Sequence, residues 1–154
     1  MEPTLAVVTE LHAGGCTVRP LDGSLAHEAA YGPAVAGEVR IRPKQLVAID
    51  HGPRGPEVVW RWMLGRVIAI DGATAQVARA DVAPEDMTDG PLEGSWMELG
   101  AVRGDHVTPG SLVYFCSDER TRRVAAVAGD DAAVSHAISA GGWSDIIAHA
   151  YRTA

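Results

Sequence analysis

Apolar residues along this chain recur mostly at every second position, in short runs closed by glycine or proline, the spacing of half-buried β-strands. Thr4 to Leu11 opens with such a run and stops at His12-Ala13-Gly14-Gly15, where Cys16 to Leu21 answers it; the pair predicts a hairpin turning on two glycines. A long connection with Gly23, Gly32, Pro33 and Gly37 leads to an expected third strand, Glu38 to Arg42, which Pro43 ends because it offers no ladder donor. Gln45 to Asp50 and Glu57 to Met63 are the next two strands, joined by His51-Gly52-Pro53-Arg54-Gly55-Pro56.

The plan then repeats. Gly65 to Ile70 turns through Asp71-Gly72, a dipeptide that tolerates positive φ, and Thr74 to Ala80 returns. Trp96 to Leu99, Ser111 to Cys116 and Arg122 to Ala128 complete a second set of five strands. The repeat is visible in the residues: Leu5, Val8, Leu11, Val18 and Asp22 return 59 positions later as Leu64, Val67, Ile70, Val77 and Asp81. Ile41 to Val47 returns 66 positions later as Val107 to Val113. Two similar patterns call for two similar packing solutions.

After Gly129 the period lengthens. Asp130 or Asp131 caps an expected helix with Val134, Ala137 and Ile138 three and four apart, Gly141-Gly142 stops it, and Ser144 caps a second short helix. The expected fold is therefore mainly β: two tandem small five-stranded β-barrels, SH3-like or OB-like, over residues 1–63 and 64–129, with a short C-terminal helical pair over 130–154. Each module lies near the lower size limit for independent stability, so a shared apolar seam around Val58 to Ile70 and a single unfolding unit are expected.

Gly65-Arg66-Val67-Ile68-Ala69-Ile70-Asp71-Gly72 resembles the opening of KOW-type barrels in translation and transcription factors, and equally the N-terminal barrel of rotary ATPase subunits. The resemblance covers one hairpin, and no functional residue is carried over from it.

Composition narrows the partners. The net charge is −7, and it is uneven: residues 1–64 hold 6 basic and 7 acidic groups, residues 65–154 hold 7 and 13. A polyphosphate is repelled by such a field, so nucleic acid is disfavoured as a partner. Cys16 and Cys116 form no CxxC pair; each is expected to be a small buried apolar residue. No basic-then-apolar leader opens the chain and no run reaches the length of a membrane span, so a soluble protein without membrane association is expected, in the cytoplasm or in a virion.

The candidate contact residues are Trp60 and Trp62, two residues apart on one strand face, with Arg40 and Arg42 as a charged clamp; Lys44 extends that basic stripe. The competing expectation for the two indoles is packing in the core. Arg120, Arg122 and Arg123 sit beside Asp118 and Glu119, which neutralise much of that cluster. The acidic stretch Asp81 to Glu93 lacks the spacing of a calcium loop and is expected to be a solvated loop or a partner arm.

Reactive sets are sparse. His12 and Cys16 straddle the first turn without a third metal ligand, no GxSxG elbow is present, and phosphate loops of the GxxxxGK[ST] or GxGxxG kinds are missing, so no cofactor is implied. A polar pocket gathering His12, Asp50 or His106 would reopen the case for an enzyme, a small hydrolase for instance. The expected function is a non-catalytic structural or interaction protein within a larger assembly, with protein partners or self-assembly; a phage-like head-completion or tail-associated component is one concrete form. The alternative is a small-ligand or peptide binding module built on the Trp/Arg surface.

Overall fold

The first hairpin forms where the two glycines place it: β1 (Thr4–His12) and β2 (Gly15–Pro20) are antiparallel, and Gly14 turns the chain at φ 76°. The structure is a computed structural model that describes residues 3–32, 41–81, 94–102, 107–117 and 121–152. Seven further strands follow: β3 (His27–Tyr31), β4 (Leu46–Gly52), β5 (Gly55–Asp71), β6 (Thr74–Arg79), β7 (Ser95–Glu98), β8 (Leu112–Ser117) and β9 (Arg122–Val127). Two helices, α1 (Asp131–Ala140) and α2 (Trp143–Arg152), close the chain, so the fold is mainly β with a C-terminal helical pair.

Two elements differ from the sequence reading. The third strand is His27–Tyr31; Ile41 and Arg42 are not in a strand, and residues 33–40 lie outside the described set. The run His27-Glu28-Ala29-Ala30-Tyr31 carries two alanines and so lacks the β-branched signature of a strand. Those small residues suit a close backbone approach: a Cβ added at Gly15 would meet the Ala29 carbonyl oxygen. Second, the strands expected at Glu57 to Met63 and Gly65 to Ile70 are one strand of 17 residues. Gly65 does not break it. A Cβ there would lie 2.5 Å from Val77 Cγ1 and 2.7 Å from Phe115 Cε1, so this glycine serves packing.

The chain packs as two compact units, Met1–Arg61 with Gly142–Ala154, and Trp62–Gly141. The helical pair is thus divided, α1 with the second unit and α2 with the first. In the first unit the pairings run β1–β2–β3–β5–β4 and back to β1, with β3 and β5 parallel. In the second they run β5–β6–β7–β9–β8 and back to β5, with β7 and β9 parallel. Each circuit has the same connectivity, and β5 contributes its two ends to the two circuits.

The register repeats as well. Val8 faces Val18, the ladder slips between Val8 and Glu10, and Leu11 faces Cys16; 59 residues on, Val67 faces Val77, the ladder slips between Val67 and Ala69, and Ile70 faces Ala75. A bulge at one place in both hairpins re-aims the strand ends in the same way. Ala6 faces Val47 as Gly65 faces Val113, which carries the 66-residue spacing of the sequence into the β1–β4 and β5–β8 ladders.

The first core gathers Ala6, Val8, Cys16, Val18, Ala29, Ile41, Val47, Ile49 and Val58, with Tyr31 packed against it. In the second unit Val67, Val77, Met97, Val113, Phe115 and Val124 are buried. Asp130 caps α1 by accepting from the Ala133 N–H at 3.1 Å, and Val134, Ala137 and Ile138 are its buried face. Helix α2 begins one residue before the expected cap, at Trp143, whose indole is buried and meets the Trp60 ring at 6.3 Å and 51°.

Candidate functional site

An open groove of about 610 Å³ lies at one end of the first unit, where the β1–β2 turn, strand β3 and the β4–β5 turn meet. Its lining includes His12, Gly15, Cys16, Glu28, Arg54 and Pro56. The local sequence explains how these come together. Gly14 and Gly55 take positive φ, at 76° and 95°, and turn the two hairpins. The Tyr31 N–H donates to the Gly14 carbonyl at 3.1 Å, which ties the first turn to the end of β3. The β2–β3 register then sets Thr17 opposite Glu28 and Cys16 opposite Ala29.

His12 is the polar centre of this end. Its Nε2 lies 2.6 Å from Thr17 Oγ1 and 3.9 Å from Glu28 Oε1. Hydroxyl and carboxylate thus approach the same ring nitrogen. A nucleophile relay instead requires the hydroxyl on one nitrogen and the orienting carboxylate on the other, so this geometry does not build one. Across the groove, Arg54 Nε lies 3.4 Å from Glu57 Oε1, which steadies an otherwise exposed guanidinium.

Cys16 is buried, and burial pushes its thiol up to about 11. A thiol that holds its proton that far above neutrality supplies no thiolate nucleophile. The Tyr31 hydroxyl is raised too, first by burial and then by Cys16, with Arg42 opposing. Among the described residues, no group of three or more His, Cys, Asp and Glu side chains is placed to hold a metal ion, and no helix is long and apolar enough to cross a membrane. What the groove offers is hydrogen bonding: an imidazole, a carboxylate and a guanidinium around small, partly apolar walls.

The sequence candidates land elsewhere. Trp62 is fully buried, and Trp60 is half-buried against Trp143; neither lines the groove. Arg40 lies outside the described residues. Arg42 is half-buried in the turn before β4, where its N–H donates to Gln45 Oε1 at 3.0 Å, so Arg42 and Lys44 do not form a strand stripe. His12 and Cys16 both line the groove, whereas Asp50 does not and His106 lies outside the described residues. Glu28 and Arg54 were not anticipated, because their placement depends on pairings between distant segments.

Elsewhere, Cys16 and Cys116 are both buried and neither is in a disulfide. Arg123 of the basic cluster donates through Nη2 to the Gly141 carbonyl at 2.7 Å, at the C-terminus of α1. Arg120 and most of the acidic stretch Asp81 to Glu93 lie outside the described residues, but Asp81 itself makes a buried pair with Arg79 at 2.5 Å. Comparison with models of known protein families finds no match, and neither does comparison with characterised proteins.

Proposed function

We propose that the protein is a non-catalytic binding module made of two OB-like barrels, the first of which takes a short peptide or small polar ligand in the groove lined by His12, Glu28 and Arg54. The barrel reading is supported by the connectivity 1-2-3-5-4-1, which both pairing circuits follow with a parallel contact between their third and fifth strands. Small OB barrels bind extended ligands on strands 2 and 3 and with the loops between strands 1 and 2 and strands 4 and 5. The observation that carries the reading is that the groove lies at that place, formed by the β1–β2 turn, β2, β3 and the β4–β5 turn.

Its size is within the range of small-molecule sites, and its polar groups offer donors at Arg54, an acceptor at Glu28 and either role at His12. A ligand carrying both an acidic and a donor group meets those needs; a peptide backbone or terminus does so naturally. An oligonucleotide is disfavoured by the net charge of −7 and by Glu28 within the groove. The test is a calorimetric screen of short peptides, amino-acid derivatives and glycans against the wild type and H12A/R54A. Binding that the double variant loses while keeping its melting temperature supports the reading; a ligand bound equally by both refutes it.

A further inference from the structure

The outer face of the second unit presents an apolar row. Among the described residues five large hydrophobics are exposed, and three of them, Ile68 (46%), Trp96 (48%) and Leu112 (37%), belong to this face. Leu112 stands opposite Arg66 in the β5–β8 ladder, and Trp96 stands opposite Gln76 in the β6–β7 ladder. A Cβ at Gly94 would lie 3.0 Å from Gln76 Cγ and 3.1 Å from Ile68 Cδ1, which places Ile68, Gln76 and the start of β7 side by side.

The internal repeat supplies a control. In the first unit the positions of Ile68, Gln76 and Trp96 are held by Thr9, Thr17 and Glu28, whereas that of Leu112 is held by Leu46, apolar and buried, so the control bears on Ile68 and Trp96. Polar side chains satisfy the same ladder with the same bulge, so folding does not require an isoleucine and an indole there. Exposed apolar residues that the fold does not need mark a contact surface. Charge then selects the occupant. Glu98 follows Trp96 on the same strand face, Asp71 ends the β5–β6 hairpin nearby, and both are exposed. Residues 65–154 carry 7 basic against 13 acidic groups; Arg66, opposite Leu112, donates through Nη1 to the Gly110 carbonyl at 3.0 Å, and Arg123, opposite Glu98, donates through Nη2 to the Gly141 carbonyl at 2.7 Å.

We propose that the Ile68–Trp96–Leu112 face docks a basic, aliphatic segment of a partner protein, with a cationic side chain over the Trp96 ring beside Glu98 and aliphatic side chains on Ile68 and Leu112. This surface is independent of the groove in the first unit.

The test uses the full chain and a fluorescein-labelled peptide of alternating arginine and leucine, with the matching glutamate–leucine peptide as its control, read by anisotropy at physiological salt. The variant I68T/W96E installs the residues that the first unit carries at these positions; I68T alone removes one apolar contact without touching charge. The expected result is saturable binding of the basic peptide only, weakened about tenfold or more by I68T/W96E and measurably by I68T, and unchanged by H12A/R54A. No binding, equal binding of both peptides, or full binding by I68T/W96E overturns the proposal. So does concentration-dependent self-association that I68T/W96E abolishes, because a second copy would then be the occupant.

Discussion

Lys44 and Gly110 hold the same place in the two pairing circuits. Both backbones turn through positive φ, at 75° and 98°, and their N–H groups donate to Val8 and Val67 carbonyls at 2.8 and 2.7 Å. The turn around them is shared: Arg42 N–H donates to Gln45 Oε1 at 3.0 Å, and Thr108 N–H to Ser111 Oγ at 3.1 Å. The repeat therefore preserves a backbone device even where the side chains have diverged.

Lys44 is an exposed L-residue in the left-handed region, which disfavours its Cβ, whereas glycine at 110 meets no such penalty. Lys44→Gly is expected to stabilise the protein by about 0.5–1 kcal/mol, the relief of strain being partly offset by a freer unfolded chain. Gly110→Ala is expected to destabilise it by about 1 kcal/mol. Urea unfolding midpoints check both signs.

Arg79 and Asp81 form a two-point ion pair with both side chains fully buried: Nε to Oδ1 at 2.5 Å and Nη2 to Oδ2 at 3.3 Å. Removing one partner deprives a buried charge of its two-point counterion. Arg79→Ala and Asp81→Ala are each expected to cost about 3–5 kcal/mol, and R79M/D81L less than either. A double-mutant cycle in denaturant measures the difference. At the matching positions of the first unit Pro20 stands where Arg79 does, and Asp22 accepts the Ser24 N–H at 2.9 Å.

Alkaline pH acts through Cys16. Its folded thiol ionises near 11, against an ordinary value of 9.0 in the unfolded chain. Between those values the unfolded state has lost the proton that the folded state keeps, so stability present below pH 9 declines as pH rises towards 11. Cys16→Ala is expected to flatten this decline. Thermal unfolding of the two proteins across that window reads the effect.

The hairpins were legible because their chemistry is local. Gly14-Gly15 and Asp71-Gly72 announce turns, and the valines facing each other in both ladders announce the alternation. Strand β3 was not legible, since its alanines carry little β signature and their value appears only against Gly15. Gly65 read as punctuation because its neighbours Val77 and Phe115 come from other strands. The same limit applies to the groove. His12 and Cys16 are linked by one turn and could be paired from sequence, whereas Glu28 enters through the β2–β3 register and Arg54 from a turn some forty residues beyond His12. Trp60 and Trp62 stood out by size, and Trp62 proved to spend that size on burial.

Amide chemical-shift mapping tests the binding claim most directly. Addition of a short peptide selected by the calorimetric screen should move resonances at residues 12–16, 28–30 and 54–56, saturate at one equivalent, and leave the second unit unchanged. Shifts confined to β6 and β7, or none at those three segments, would contradict the account.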